Sequence, residues 1–186
     1  FADTRNFADQ QADNDWVLSL DADIEVSQKL VEEIKNLPNK PAAYKIGRIN
    51  IIWGKPILHA DWGPKDDNHI RLYHRSLGSW RGKVHEQFIT SQKPKQLKNY
   101  LVHHNYHTVS EYIKKLNHYS TIQAQNLYQQ GHRFSFFKLF AHPLLDFCKR
   151  YFYKLGFLDG LHGLFLSKLQ AIYHLVVQIK LYSTTN

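Results

Sequence analysis

The first apolar pattern in the chain is short and dense: Trp16-Val17-Leu18-Ser19-Leu20, followed at once by Asp21 and Asp23. A near-continuous run of this kind predicts a buried parallel strand, and in open α/β sheets ligands sit off the carboxyl ends of such strands. Residues 3–14 before it are polar, with Phe7 and Ala12 spaced for a short helix. After it Leu30, Val31, Ile34 and Leu37 recur on one helical face, with Ser27 as N-cap and Pro38 as the stop. Ala43 to Trp53, rich in Ile and Tyr, predicts a strand, and a Gly/Pro-punctuated loop runs on to Pro64. Further strands are predicted over His69–His74 and Val84–Ile89, flanking the turn Ser76–Ser79, and over Tyr100–His103.

The period changes at Thr108. Thr108-Val109-Ser110-Glu111 has the form of a capping box, and Tyr112, Ile113, Leu116, Tyr119 and Leu127 continue at helical spacing to Gly131. Two more helices are predicted, about 134–155 and 164–182, hinged at Gly156–Gly160. The pattern predicts an α/β portion over residues 1–107 and a helical extension over 108–186, without internal repeats.

Composition narrows the partners. A chain of 186 residues with 43% hydrophobic content can bury a core of about one domain, which excludes a disordered protein. Its net charge of +8 is uneven: residues 1–40 carry nine acids against four Lys/Arg, residues 92–186 twelve Lys/Arg against three acids. The basic, aromatic back half suits nucleic acid, anionic lipid or a phosphorylated glycan. Nothing resembles an RNA-binding motif, so nucleic acid is not an expected partner. Phe134, Phe136, Phe137, Phe140, Phe147 and Tyr151 interleave with Lys138, Lys149 and Arg150, which fits a helix in a membrane interface or a core helix with a basic outer face. No uncharged apolar run approaches the roughly 18 residues of a spanning helix. The single Cys148 allows no intrachain disulfide and no signal-peptide pattern opens the chain, so a cytoplasmic location is the expectation.

Two carboxylates one residue apart on a loop can face one hard divalent cation, Mg²⁺ or Mn²⁺, that bridges to a diphosphate. Haloacid-dehalogenase-like phosphatases use such spacing for a nucleophile and a general acid. Their motif continues with Thr or Val where this chain has Glu25, and their later acidic pair would have to be Asp66-Asp67, which no apolar strand precedes.

The run Arg5-Asn6-Phe7-Ala8, then Asp15 to Asp23, resembles the family 2 glycosyltransferases, in which an Arg-Asn helix start precedes a strand ending in Asp-x-Asp. Arg71 to Arg75, Trp80 to Glu86, His103 to Tyr106 and Gly156 to Gly163 are similar to the β-glucosyltransferase branch that modifies the bacterial lipopolysaccharide core. The resemblance implies a GT-A fold, Rossmann-like with a mixed sheet. It also implies that the family's N-terminal strands, two βα units of about 60 residues, are lacking, so that the chain is expected to be an N-terminally truncated piece. The family carries Glu directly after Asp-x-Asp, where this chain has Ile24 and then Glu25.

On this resemblance Asp23 ligates the metal, Asp21 supports the metal or the ribose, and His103 completes the metal site or contacts the diphosphate. Glu86 is the general base for inverting attack; otherwise it is an exposed acid paired with Lys83 or Arg81. Arg5 and Arg71 contact phosphate or base, with a solvated helix position as the alternative for Arg5. Trp80 stacks on an acceptor sugar or is buried in the core, and His85 is structural. The implied partners are a nucleotide-sugar donor, a lipid-linked or lipopolysaccharide glycan acceptor, and the inner face of the cytoplasmic membrane as a peripheral contact. A non-catalytic membrane-peripheral or glycan-binding piece is the alternative.

Overall fold

The structure is a computed structural model that describes residues 2–82 and 86–185. The start of the strand expected over 84–89, the pairing expected of Lys83 and the role expected of His85 lie outside the described residues. In chain order the elements are α1 (Ala2–Gln11), β1 (Trp16–Leu18), β2 (Ile24–Val26), α2 (Gln28–Lys35), β3 (Ala43–Ile52), β4 (Lys55–Ile57), β5 (Asn68–His74), β6 (Gly78–Arg81), β7 (Gln87–Thr90), β8 (Lys95–Gln96) and β9 (Leu101–Tyr106). Helices α3 (Val109–Gln129), α4 (Phe136–Cys148) and α5 (Gly160–Thr185) follow, with a π-helical turn over Lys149–Tyr153 and a 3₁₀ turn over Gly156–Asp159. The residues form two compact units, 1–50 with 63–104, and 51–62 with 105–186.

The first unit is built on a mixed sheet of strand order β1-β5-β3-β9-β2. β1 pairs antiparallel with β5 and β5 antiparallel with β3, while the short β8 runs parallel to β3. The dense run at Trp16 therefore has an antiparallel neighbour rather than the expected parallel one. It is continuous because both faces are covered: Trp16, Leu18 and Leu20 pack against the core of Leu30, Tyr44, Ile46 and Leu101, and Val17 against Tyr73, Trp80 and Phe88. Ser27 caps α2 as predicted, its Oγ accepting from the Leu30 amide at 3.3 Å, and Leu30 is fully buried. α1 is anchored by polar contacts, with Phe7 63% exposed instead of buried. The Asn6 side chain donates to the Trp80 carbonyl at 2.9 Å and accepts from the Trp80 amide at 2.8 Å, and Asp9 accepts from the Tyr73 hydroxyl at 2.8 Å.

Two irregularities place chemistry. Between β3 and β5 the register steps from Tyr44↔Leu72 to Lys45↔Ile70, leaving Arg71 as the extra residue of a β-bulge. Bulges re-aim a side chain beside a site. β2, inside the loop expected to hold only acids, pairs antiparallel with β9 in the register Ile24↔His103, which brings Asp23 beside His103.

In the second unit β3 ends in a two-residue hairpin turn at Trp53-Gly54, both at positive φ, and β4 forms where the sequence pattern predicts loop. Ile52 and Ile57 of this hairpin are buried with Tyr112, Leu116 and Leu166 of the helices, so residues 51–62 belong with the helical unit. Thr108 caps α3, its Oγ accepting from the Glu111 amide at 3.1 Å. α5 begins at Gly160, inside the expected hinge. Gly163 faces the Gly156 carbonyl so closely that a Cβ there has no room.

Candidate active site

The chain leaves β1 at Ser19, whose amide donates to the Arg71 carbonyl at 2.8 Å, so the backbone follows the bulge of β5 toward Asp21. α1 aims Arg5 at the same point. Its Nη1 donates to Ser19 Oγ at 2.6 Å, Nη2 to Asp21 Oδ1 at 2.6 Å, and Nε to Glu86 Oε1 at 3.3 Å. One guanidinium thus holds both the first acid of Asp-x-Asp and the expected base. Arg5, Asp21, Arg71, Trp80 and Glu86 line one cavity of about 550 Å³, which also takes in Arg48.

Asp21 is surrounded by cations. Besides Arg5, its Oδ2 lies 3.4 Å from Arg71 Nη1 and 3.7 Å from Arg48 Nη1. Burial raises its pKa, but the Arg5 hydrogen bond and the charges of Arg71, Arg5 and Arg48 outweigh this and hold the carboxyl below its ordinary range. Arg71 is nine-tenths buried, and its Nε and Nη1 have no hydrogen-bond partner among the described residues. Buried guanidinium N–H groups without a hydrogen bond are costly, and Arg71 meets that cost only in part through its ion pair with Asp21, leaving net positive charge at the cavity. Trp80 is 5% exposed, with Nε1 donating to the Tyr73 hydroxyl at 2.8 Å. The Arg5 guanidinium lies 4.7 Å over its ring, so Trp80 forms the cavity floor rather than an open platform. Glu86 is held below the usual carboxylate range first by its own backbone amide and then, against desolvation, by Arg5. It is therefore ionised at neutral pH, the state a base requires.

Asp23 stands apart from Asp21, in a second group that a relay of side chains orients. Arg48 grips Asp67 with Nε at 3.0 Å from each oxygen and Nη2 at 2.8 Å from Oδ1. Asp67 Oδ2 accepts from Asn50 Nδ2 at 3.1 Å, which turns Asn50 Oδ1 toward His103 Nδ1 at 2.7 Å. His103 Nδ1 is thereby assigned the proton, and the Nε2 lone pair faces Asp23 Oδ2 at 3.2 Å. Burial first, and then the Arg48 charge, push the His103 pKa down against the pull of Asp23, so the ring is neutral at pH 7. A lone pair set against a carboxylate oxygen calls for a cation between them. A His whose other nitrogen donates to an oxygen is the usual form of a metal-ligating imidazole. Asp23 and His103 thus fit a divalent cation, whereas both oxygens of Asp21 face guanidinium groups. Among the described residues no three or more His, Cys, Asp or Glu side chains are grouped to hold a metal, so a cation here takes its remaining ligands from substrate or water.

Arg48 and Asn50 were not singled out by the sequence pattern, and Asp67 stands there only as half of a phosphatase's later acidic pair. The signal for the first two was present: Arg48 and Asn50 share a strand face with Ile46 and Ile52, where polar residues interrupt an apolar row. Arg48 also stands between Asp67 and Asp21, so these acids do not share a cation as a phosphatase pair would.

No protein-family model matches the chain. Its homologues are bacterial proteins named as glycosyltransferases. It is 28% identical over 174 residues to an uncharacterized glycosyltransferase of Rickettsia typhi, a match covering 86% of this chain and 59% of that protein. The match to an uncharacterized glycosyltransferase of Rickettsia prowazekii is 28% over 176 residues, with 86% and 59% covered. Identity to the lipopolysaccharide core biosynthesis glycosyltransferase LpsC of Rhizobium meliloti is 25% over 188 residues, covering 98% of this chain and 69% of that protein. The chain thus spans 59% of the length of the two Rickettsia relatives.

Proposed function

We propose that this chain carries the metal-binding carboxylate and the general base of a family 2, inverting glycosyltransferase, which moves a sugar from a nucleotide-sugar donor to a lipopolysaccharide-core-type acceptor. The observation that carries the reading is the convergence of Arg5, Asp21, Arg71 and Glu86 on one cavity. The adjoining Asp23–His103 pair supports the metal. The acceptor class rests on the name of the Rhizobium meliloti relative.

Asp23 and His103 would hold Mg²⁺ or Mn²⁺, which would supply positive charge to offset that of a departing diphosphate. Arg71 supplies positive charge to the cavity wall that faces a donor phosphate. Glu86 accepts the proton of the acceptor hydroxyl as that oxygen bonds to the anomeric carbon from the face opposite the leaving group; the bond from that carbon to the diphosphate oxygen breaks, and its electron pair leaves with the nucleoside diphosphate. Arg5 positions Glu86 and Asp21, and Asp21 serves as counter-ion to the guanidinium groups.

The same reading places the protein peripherally on the inner face of the cytoplasmic membrane. Among the described residues no helix is long and apolar enough to cross a membrane. α4 exposes Phe136, Phe137, Phe140 and Leu144, each 60% or more accessible, as an interfacial helix does.

The test is sugar transfer from labelled nucleotide sugars with Mn²⁺, comparing the unaltered protein with Asp23→Ala and Glu86→Gln. Each variant is expected to lose at least about a hundredfold in kcat, the scale of general acid–base catalysis. Wild-type turnover in both would end the assignment. A second reading, a glycan-binding piece without catalysis, is favoured by the guanidinium groups that neutralise Asp21. Glycan binding with no transfer under any donor would establish it.

A further inference from the structure

The helical unit contains a second cavity, of about 460 Å³, formed by α3, the turn after it, α4 and α5. That is the size of a ligand site. Leu127, Tyr173, Val177 and Leu181 give it apolar walls, with Val177 and Leu181 buried. Arg133, His132 and His142 also line it and are exposed, and Lys138 is half-buried. The lining therefore grades from basic at the surface to apolar within. No Asp or Glu contributes to it among the described residues.

The fixed positive charges of this lining are Arg133 and Lys138. The Arg133 guanidinium is held by the carbonyls of Tyr128 and His132, at 3.2 and 3.0 Å, and lies 4.4 Å over the Tyr128 ring. Lys138 has no acidic partner among the described residues. Asp146, on the same helix, is engaged by Arg150 at 2.9 Å and His174 at 3.6 Å. Burial first, and then the neighbouring His174 and Lys138, depress the His142 pKa, so the positive charge of the lining rests on Arg133 and Lys138. On α4 the residues Lys138 and His142, four apart, face this cavity. Phe136, Phe140 and Leu144 form a stripe on the opposite side, each at least 60% exposed.

We propose that this cavity binds a membrane lipid by a phosphate head group. Arg133 and Lys138 contact the phosphate oxygens, and Leu127, Val177 and Leu181 cover the first carbons of the hydrocarbon. A free phosphate leaves the apolar walls unused, which is why a lipid is the assigned source. The site lies wholly within the helical unit and does not depend on the transferase reading.

The test is a titration of the chain, labelled at Leu and Val methyl groups, with dihexanoyl phosphatidic acid below its micelle concentration. Inorganic phosphate and dihexanoylglycerol serve as the two half-ligands. The expected result is saturable shifts of the Leu127, Val177 and Leu181 methyls with the phosphatidic acid, and at least tenfold weaker binding of either half-ligand. Lys138→Glu and Arg133→Gln should each weaken the lipid at least tenfold, with circular dichroism showing that the helices are retained. Equal binding of inorganic phosphate would reduce the site to an anion patch and overturn the proposal. So would equal binding of the uncharged glyceride, or an unchanged affinity in both variants. Because no sugar transfer is read, a failed transferase assay leaves this result intact.

Discussion

Replacing Asn50 with Leu tests the relay behind the proposed metal pair without touching a ligand. Asn50 is 1% exposed, and its Oδ1 takes the His103 Nδ1 proton at 2.7 Å. Without that acceptor the ring can move its proton to Nε2 and donate directly to Asp23 Oδ2, already 3.2 Å away. A cation must then displace a charge-assisted hydrogen bond worth about 1.5–3 kcal/mol. At 1.4 kcal/mol per decade this is roughly a ten- to hundredfold loss of metal affinity, the range found for groups that orient a ligating histidine. The assay is Mn²⁺ binding followed by electron paramagnetic resonance of the free ion, with circular dichroism as the check on folding. Asp23→Ala should abolish the binding and Asn50→Leu should weaken it. If Asn50→Leu binds Mn²⁺ as tightly as the parent while Asp23→Ala does not, the tautomer argument is wrong. If neither variant changes the affinity, the ion is not bound at Asp23.

Arg71→Met removes a buried guanidinium with two unbonded nitrogens. Thermal stability should be unchanged or higher, while pyrophosphate affinity by calorimetry falls about tenfold. In the helical unit the Asp159 side chain, 6% exposed, accepts from the Leu58 and His59 amides and from His59 Nδ1. Asp159→Ala should cost about 3 kcal/mol, seen as a drop of roughly 6–12 °C in thermal midpoint, and Asp159→Asn less than half of that. Burial raises the Asp61 pKa, but Lys149, Arg150 and Lys154 outweigh this and depress it below 3.8. A depressed carboxylate stabilises the fold above its unfolded pKa and ceases to do so as the pH falls through the folded value. The stability gap between the parent and Asp61→Asn, about 2 kcal/mol in urea melts, should therefore be constant near neutrality and close only below about pH 4.

How far the sequence revealed this arrangement depended on the range of the interaction. Helix α2 was legible because its cap and apolar face lie within a dozen residues, and α3 because Thr108 and Glu111 form a local pair. β2, β4 and β6 were not, since three or four residues carry no period, and β2 is defined by a partner, β9, far along the chain. The candidate residues Arg5, Asp21, Arg71 and Glu86 were legible as types in ordered segments. The holding of both Asp21 and Glu86 by Arg5 was not, because Arg5 and Glu86 are 81 residues apart. The relay Arg48–Asp67–Asn50–His103 has the same character. Only the polar interruption of the β3 apolar face announced it.

Asp21 and Asp23 look equivalent in the sequence, yet their surroundings assign them different work. Three arginines converge on Asp21, so a cation approaching it meets concentrated positive charge, and Asp21 instead keeps Arg5, Arg48 and Arg71 from repelling one another. Asp23 faces a neutral imidazole and is half-exposed, so a cation can reach it. A diphosphate bridging the two places would meet a cation at one end and guanidinium groups at the other. Backbone register fixes both places: Asp23 through the Ile24↔His103 pairing, Arg71 through the bulge. The alternate carboxylates matter because residues two apart can be turned toward different neighbours, one to hold the positive charge of the protein in place and one, on the proposed reading, to recruit it from solution.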